Sequence, residues 1–431
     1  MIWLIRGGRI VDPASGRDEM ADLLLENGRI SKTGKGLSAG PGAGKLDAKG
    51  QLVIPGLIDM HCHLREPGFE YKETIATGCA AAVKGGITSV MCMANTNPVN
   101  DCASVTAHIL DKASQAALAR VYPIGAITQG MRGETLTEMG ELAENGCVAV
   151  SDDGRPVHSG GIMRRAIQYA NVFGLLVIDH AEDLSIAGEG VMHEGFVSTQ
   201  LGLEGIPTAA AVSEIARNIA LVREFGGRIH IAHVSSRSGA DLIRHAKAEG
   251  LAVTAETCPH FFTLDHEAVR GFDTNAKVNP PLRTADDVEG IIQSLADGTI
   301  DVIATDHAPH HRDEKDREFD LAAFGISGFE TALALTLNLV RKERMSLLDA
   351  ISKWTLNPAR IVGLPGGSLA DGAPADVTLV DMEAQWTVDP SRFLSRGKNT
   401  PFAGMKLQGE VVNTFVDGRM VYDREKGIIS D

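Results

Sequence analysis

The sequence predicts an α/β fold: a (β/α)8 barrel of parallel strands with a small β domain built from both ends of the chain. Three observations carry this. Between about residues 53 and 363, short apolar runs alternate with segments of helical spacing. The two ends carry brief strand-like runs joined by tight-turn signals instead. Histidines and aspartates recur where the apolar runs stop, which is where barrels of this kind assemble their sites.

Taken in order, 3–6, 8–11, 22–26 and 29–31 read as strands, with Asn27-Gly28 as a hairpin turn before the last and a Gly-rich loop over 34–44. Eight barrel strands are expected at 57–63, 88–93, 121–126, 147–151, 175–180, 228–233, 252–256 and 301–305. Helices are expected between them at 74–84, 105–119, 135–144, 162–171, 208–225, 239–248 and 286–296, and again at 347–356 before Asn357-Pro358. Strands return at 372–381 and 411–422, the latter with an Asp417-Gly418 turn. Terminal strands this short are not stable alone, so the two ends are expected to pair. Residues 1–54 and 365–431 would then form one composite β domain beside a barrel over 55–364.

Composition narrows the function. The 431 residues are 44% hydrophobic, enough for a large core, and carry a formal net charge of -15. That field repels phosphate, which argues against a nucleic-acid or anionic-membrane partner. A small anionic substrate remains compatible if the site supplies local positive charge. The chain has neither a long uncharged apolar stretch nor a signal-peptide order at its start, so a cytoplasmic protein is expected. Its six cysteines form no C-x-x-C pair, so they are expected to be reduced and mostly buried.

His61 and His63 end the first barrel strand. Side chains alternate along a strand, so both imidazoles share one face while Cys62 points away. Asp153 follows the fourth strand, His180 the fifth, His233 the sixth and Asp306 the eighth. Four imidazoles and two carboxylates at one mouth are too many for a single tetrahedral zinc and suit two ions with shared ligands. Such a pair acidifies water, so a hydrolase is expected. Arg65, two residues beyond His63, offers a planar fork for a carboxylate, and Asn95 an amide donor.

These residues also carry a resemblance. His61-Cys62-His63-Leu64-Arg65-Glu66-Pro67-Gly68, Asn95-Thr96-Asn97-Pro98, Asp152-Asp153-Gly154, Asn279-Pro280-Pro281-Leu282-Arg283 and Thr305-Asp306-His307-Ala308-Pro309-His310 resemble dihydroorotases of the longer bacterial class within the amidohydrolase superfamily. Gly366 to Asp376 is similar to the segment where amidohydrolases return to their small β domain. The resemblance implies reversible hydrolysis of L-dihydroorotate to N-carbamoyl-L-aspartate, a step of pyrimidine synthesis. It implies two Zn2+ per chain, with His61 and His63 on one ion, His180 and His233 on the other, and Asp153 between them. Asp306 would touch metal and move the proton as a bridging hydroxide attacks the ring carbonyl, while His310 and Asn279 join Arg65 and Asn95 around the substrate.

Many amidohydrolases place a carboxylated lysine between their metals. This chain has no lysine between Lys112 and Lys247, which leaves Asp153 for that position and makes a dihydropyrimidinase less compatible. Ala94 stands where many relatives carry proline, which loosens the loop without removing Asn95. The alternatives are another cyclic amidohydrolase, of allantoinase or hydantoinase type, and a non-catalytic subunit that scaffolds aspartate carbamoyltransferase. Partners expected are the small-molecule substrate and further copies of the chain in a homo-oligomer such as a dimer, with aspartate carbamoyltransferase as a further option. Residues 311–329, where charges give way to Gly325-Ile326-Ser327-Gly328, have the composition of a lid.

Overall fold

The structure is a computed structural model that describes residues 1–429. The final two residues of the expected terminal unit lie outside the described residues. Eight parallel strands follow one another around a barrel: β1 (Leu57–Cys62), β2 (Ile87–Cys92), β3 (Arg120–Gly125), β4 (Ala149–Val150), β5 (Leu176–Asp179), β6 (Ile229–Ile231), β7 (Val253–Thr257) and β8 (Val302–Ile303). All eight expected strands are present, but β4 and β8 are two-residue contacts where five-residue runs were expected. The apolar runs continue past the paired residues, so their length overstates the ladder.

The barrel is nearly closed. Between β8 and β1 no ladder runs among the described residues; the join is a single bridge between Cys62 and His307, with His63 N donating to His307 O at 2.8 Å. Met60, Met91, Met93, Ile124, Leu176, Ile178 and Val302 fill the interior, as the inward faces of successive strands must. Helices on the outside start where the sequence supplies caps: Thr74 accepts from Thr77 N, Ser159 from Ile162 N, Ser236 from Gly239 N and Thr284 from Asp287 N.

The two chain ends share one sheet. Val377–Thr387 runs antiparallel to Leu52–Pro55, which joins the N-terminal strands Ile2–Asp12, Arg17–Glu26 and Arg29–Gly34 to the C-terminal Lys406–Val416 and Arg419–Asp423. Ile5, Ile10, Leu23, Val53, Leu379 and Phe415 are buried between them, so neither end has a core without the other.

Two local readings change. Residues 3–6 and 8–11 belong to one strand, Ile2–Asp12, whose register shifts between Ile5 and Gly8; the bulge looked like a break. The expected helix over 347–356 is two, Leu347–Ser352 and Leu356–Val362, and Pro358 sits in the first turn of the second, where its missing N–H costs nothing. Within 311–329, Lys315 Nζ donates to Ala323 O at 2.7 Å and Gly325 O at 3.2 Å, and Ile326 bridges His307. No helix among the described residues is long and apolar enough to cross a membrane.

Candidate active site at the carboxyl ends of the barrel strands

All six expected ligand residues converge and are buried. Asp153, just past β4, is their centre. Its Oδ1 stands 3.4 Å from His61 Nε2, His180 Nδ1 and His233 Nε2, and its Oδ2 3.6 Å from His63 Nε2. Asp306 reaches the first pair, with Oδ1 at 3.1 Å from His63 Nε2 and 3.5 Å from His61 Nε2. The second pair is tight, since His180 Nδ1 and His233 Nε2 are 2.8 Å apart. Arg65, His233 and Asp306 hold this arrangement with backbone φ of +63°, +34° and +46°, a region that side chains other than glycine seldom occupy.

Neighbouring groups fix which nitrogen faces inward for three of the four rings. His61 Nδ1–H donates to Glu256 Oε1 at 2.7 Å, which leaves Nε2 as the nitrogen that faces the site. His63 Nδ1–H donates to Asn95 Oδ1 at 3.0 Å with the same result. His180 turns Nε2 to Glu182 Oε2 at 3.4 Å and keeps Nδ1 for the cluster.

The donor set suits divalent cations. His61 Nε2 and Asp153 Oδ1 are buried with no hydrogen-bond partner, a cost that a bound ion would remove. The ligand atoms of His61, His63 and Asp306 lie within 4.8 Å of one another, as do those of His61, Asp153 and His233. Burial works against ionising Asp153 and Asp306, but the surrounding imidazoles outweigh it, led by His61, and hold both carboxyls below the ordinary range. Burial likewise opposes a charge on His180, yet the Asp153 and Glu182 carboxylates push its pKa up to about 10.

Arg65 stands at the rim of this cluster. Its Nε donates to Pro309 O at 3.2 Å, and no carboxylate pairs with it among the described residues. Gly68 lets the neighbouring loop close on it: at φ +97°, a Cβ there would fall 2.0 Å from Asn97 O. That contact brings Asn95 beside His63, so the expected substrate residue also orients a ligand. Asn279 Nδ2 donates to Glu182 Oε2 at 2.9 Å, and its Oδ1 is buried and unpartnered. His310 borders Arg65 with both nitrogens engaged: Nε2 lies 2.8 Å from Phe324 O and 3.3 Å from Arg65 Nη2, and Nδ1 lies 3.3 Å from Glu314 Oε2 and 3.4 Å from Lys72 Nζ.

Sequence reasoning missed Glu256, which holds His61 and also lies 3.2 Å from His230 Nε2, and it gave Glu182 no separate role. The signal for Glu256 was present. It is a carboxylate in the final turn of an apolar strand, at the same barrel end as the ligands.

Residues 52–421 match the amidohydrolase family. A dihydroorotase of Syntrophotalea carbinolica is 56% identical over 97% of this chain and 98% of its own, and one of Geobacter sulfurreducens is 55% identical over 98% and 100%. Among solved structures, an L-hydantoinase from Arthrobacter aurescens shares the fold at a TM-score of 0.89 and 24% identity, over 99% of this chain and 97% of that one. A D-hydantoinase from a Bacillus sp. does so at 0.87 and 26%, over 99% and 96%. With more than half its residues shared with curated dihydroorotases over nearly its whole length, on a barrel of this architecture, the chain belongs to the amidohydrolase family and, within it, to the dihydroorotases.

Proposed function

We propose that this chain interconverts L-dihydroorotate and N-carbamoyl-L-aspartate in pyrimidine synthesis, with Asp306 as the group that moves the proton. The observation that carries the reading is Arg65: a guanidinium with no carboxylate partner beside a cluster of four imidazoles and two carboxylates. A cation left unpaired there is matched by an anionic substrate. A hydantoin or allantoin ring, which lacks that carboxylate, leaves the guanidinium unsatisfied. The identity of more than half the residues with dihydroorotases favours the same ring.

His61, His63, Asp153, His180, His233 and Asp306 would hold the metal, which we take to be two Zn2+. Bound there, such ions supply Lewis acidity toward the ring carbonyl and lower the pKa of water. The chain's own residues do the rest. Arg65 and the Asn95 amide hold the substrate carboxylate, and Asn279 Oδ1, buried and without a partner, accepts from a ring N–H. Asp306, kept ionised by the imidazoles around it, takes the proton of the attacking water and returns it to the departing ring nitrogen. In ring closure the same carboxylate works in reverse order. His310 shapes the carboxylate end of the pocket beside Arg65, and a direct contact would require one of its present partners, Phe324 O, Arg65, Lys72 or Glu314, to give way.

The division into a terminal unit of 1–54 with 365–431 and a barrel of 55–364 follows the shared sheet. Six unpaired cysteines fit a reducing, cytoplasmic setting. A homo-oligomer is read out by sedimentation, where monomer mass alone would overturn it, and co-sedimentation with aspartate carbamoyltransferase tests that association.

The test of the function compares ring opening of dihydroorotate, hydantoin and allantoin by the purified, metal-loaded chain. Turnover of dihydroorotate at least about a hundredfold above the others is expected from a charge-assisted contact to the carboxylate. Equal turnover of all three would overturn the reading.

A further inference from the structure

A capable cluster beside the site takes no part in this chemistry. The chain leaves β7 through Cys258 and then turns over Pro259–Phe262, which carries His260 back toward the mouth. Cys258 is fully buried and His260 is 2% exposed. Among the described residues no hydrogen bond reaches the His260 ring, and its Nε2 is buried without a partner. The ring packs instead against Phe261, centroid to centroid at 4.2 Å. The ligand atoms of Cys258, His260 and Asp306 all lie within 4.8 Å of one another.

A buried cysteine alone is ordinarily a small apolar residue, and a buried imidazole ordinarily finds a hydrogen bond. Here the sulfur, an unpartnered imidazole and a carboxylate meet with no other work assigned to the first two. Sulfur, nitrogen and oxygen donors in one tight group suit a soft or borderline divalent ion and disfavour magnesium or calcium. We propose that Cys258, His260 and Asp306 form a third cation site for a thiophilic divalent ion, cadmium or zinc in excess, and that filling it inhibits the enzyme by occupying Asp306. Binding breaks the Cys258 S–H bond, forms the metal–sulfur bond and sends the proton to solvent, while the His260 nitrogen enters as a neutral lone pair. The inhibition rests on the role assigned to Asp306; the binding does not.

Cadmium tests both. The chain is loaded with zinc, the Cys102 that is partly exposed is replaced in a Cys102→Ser background, and cadmium chloride is titrated in while the ultraviolet thiolate-to-cadmium charge-transfer band is followed. Exchange into the histidine and aspartate sites gives no such band, because they hold no sulfur. A saturable band at one ion per chain is expected. It should be absent in Cys258→Ser and shifted at least about tenfold to weaker binding in His260→Gln. No band, or one unchanged in Cys258→Ser, would overturn the site. Dihydroorotate turnover recorded before cadmium reports the enzymatic reading independently. Turnover should then fall with the same midpoint as the band rises and stay flat in Cys258→Ser; a full band with undiminished turnover would overturn the sharing of Asp306.

Discussion

Asp59 on β1 clasps Thr305 beyond β8: its Oδ1 accepts from Thr305 N at 2.8 Å and its Oδ2 from Thr305 Oγ1 at 2.5 Å. A carboxylate therefore does at this seam what a backbone ladder does between the other strands, one residue before Asp306. Asp59→Ala should lower stability by about 3 kcal/mol, since two buried donors lose a charged acceptor. It should also reduce kcat, because the seam positions Asp306. Burial raises the Asp59 pKa from 3.8 to about 7 despite the Thr305 bonds. A raised folded pKa gives stability that is full below the unfolded value and is lost as pH rises through the folded one. Denaturant midpoints between about pH 4 and 7 should thus vary less with pH in Asp59→Asn than in the parent. Unchanged stability in Asp59→Ala would contradict the clasp.

Metal uptake should release protons. His180, with its pKa pushed up to about 10, is an imidazolium at pH 7 in the ion-free chain, and a ligand nitrogen must be bare. Zinc added to metal-free protein in weak buffer should acidify the solution by at least about one proton per chain. Affinity should rise with pH on the same ground. Loading without acidification would contradict the assignment of His180.

Much of the site was legible because its residues sit where strand runs stop. His61 and His63 read directly from strand alternation, and Asp153, which alone reads as a turn residue before Gly154, was identified by its equivalence to the other strand ends. Asp59 was not legible, because a carboxylate inside a buried strand becomes intelligible only when its partner across the seam is known. For Asp59 that partner is 246 residues away. The Asn95 bond to His63 was hidden for the same reason. At the chain ends, turn signals located the strands, but only the pairing of Val377–Thr387 with Leu52–Pro55 shows how they share a core.

Glu256→Gln should weaken metal binding by about 10- to 100-fold, because the acceptor that fixes the His61 tautomer loses its charge. Metal affinity by competition with a chelator reads this directly. Parent-like affinity would mean that His61 needs no such partner.

Arg65→Ala should raise KM by about 10- to 100-fold with a smaller change in kcat, as a charge-assisted contact present in both ground and transition states is removed. Asp306→Asn separates binding from chemistry differently. Substrate should still bind, while turnover falls by at least about a thousandfold. Parent-like kinetics in either variant would contradict the role given to that residue.

The central claim is that one chain opens dihydroorotate at a two-ion centre built on Asp153. The most direct measurement is dihydroorotate hydrolysis by the purified chain with bound metal counted in the same sample, beside Asp153→Ala. Activity with about two ions per parent chain, and loss of both ions and activity in the variant, is the predicted result. Two ions retained by an active Asp153→Ala, or full occupancy in an inactive parent, would contradict it.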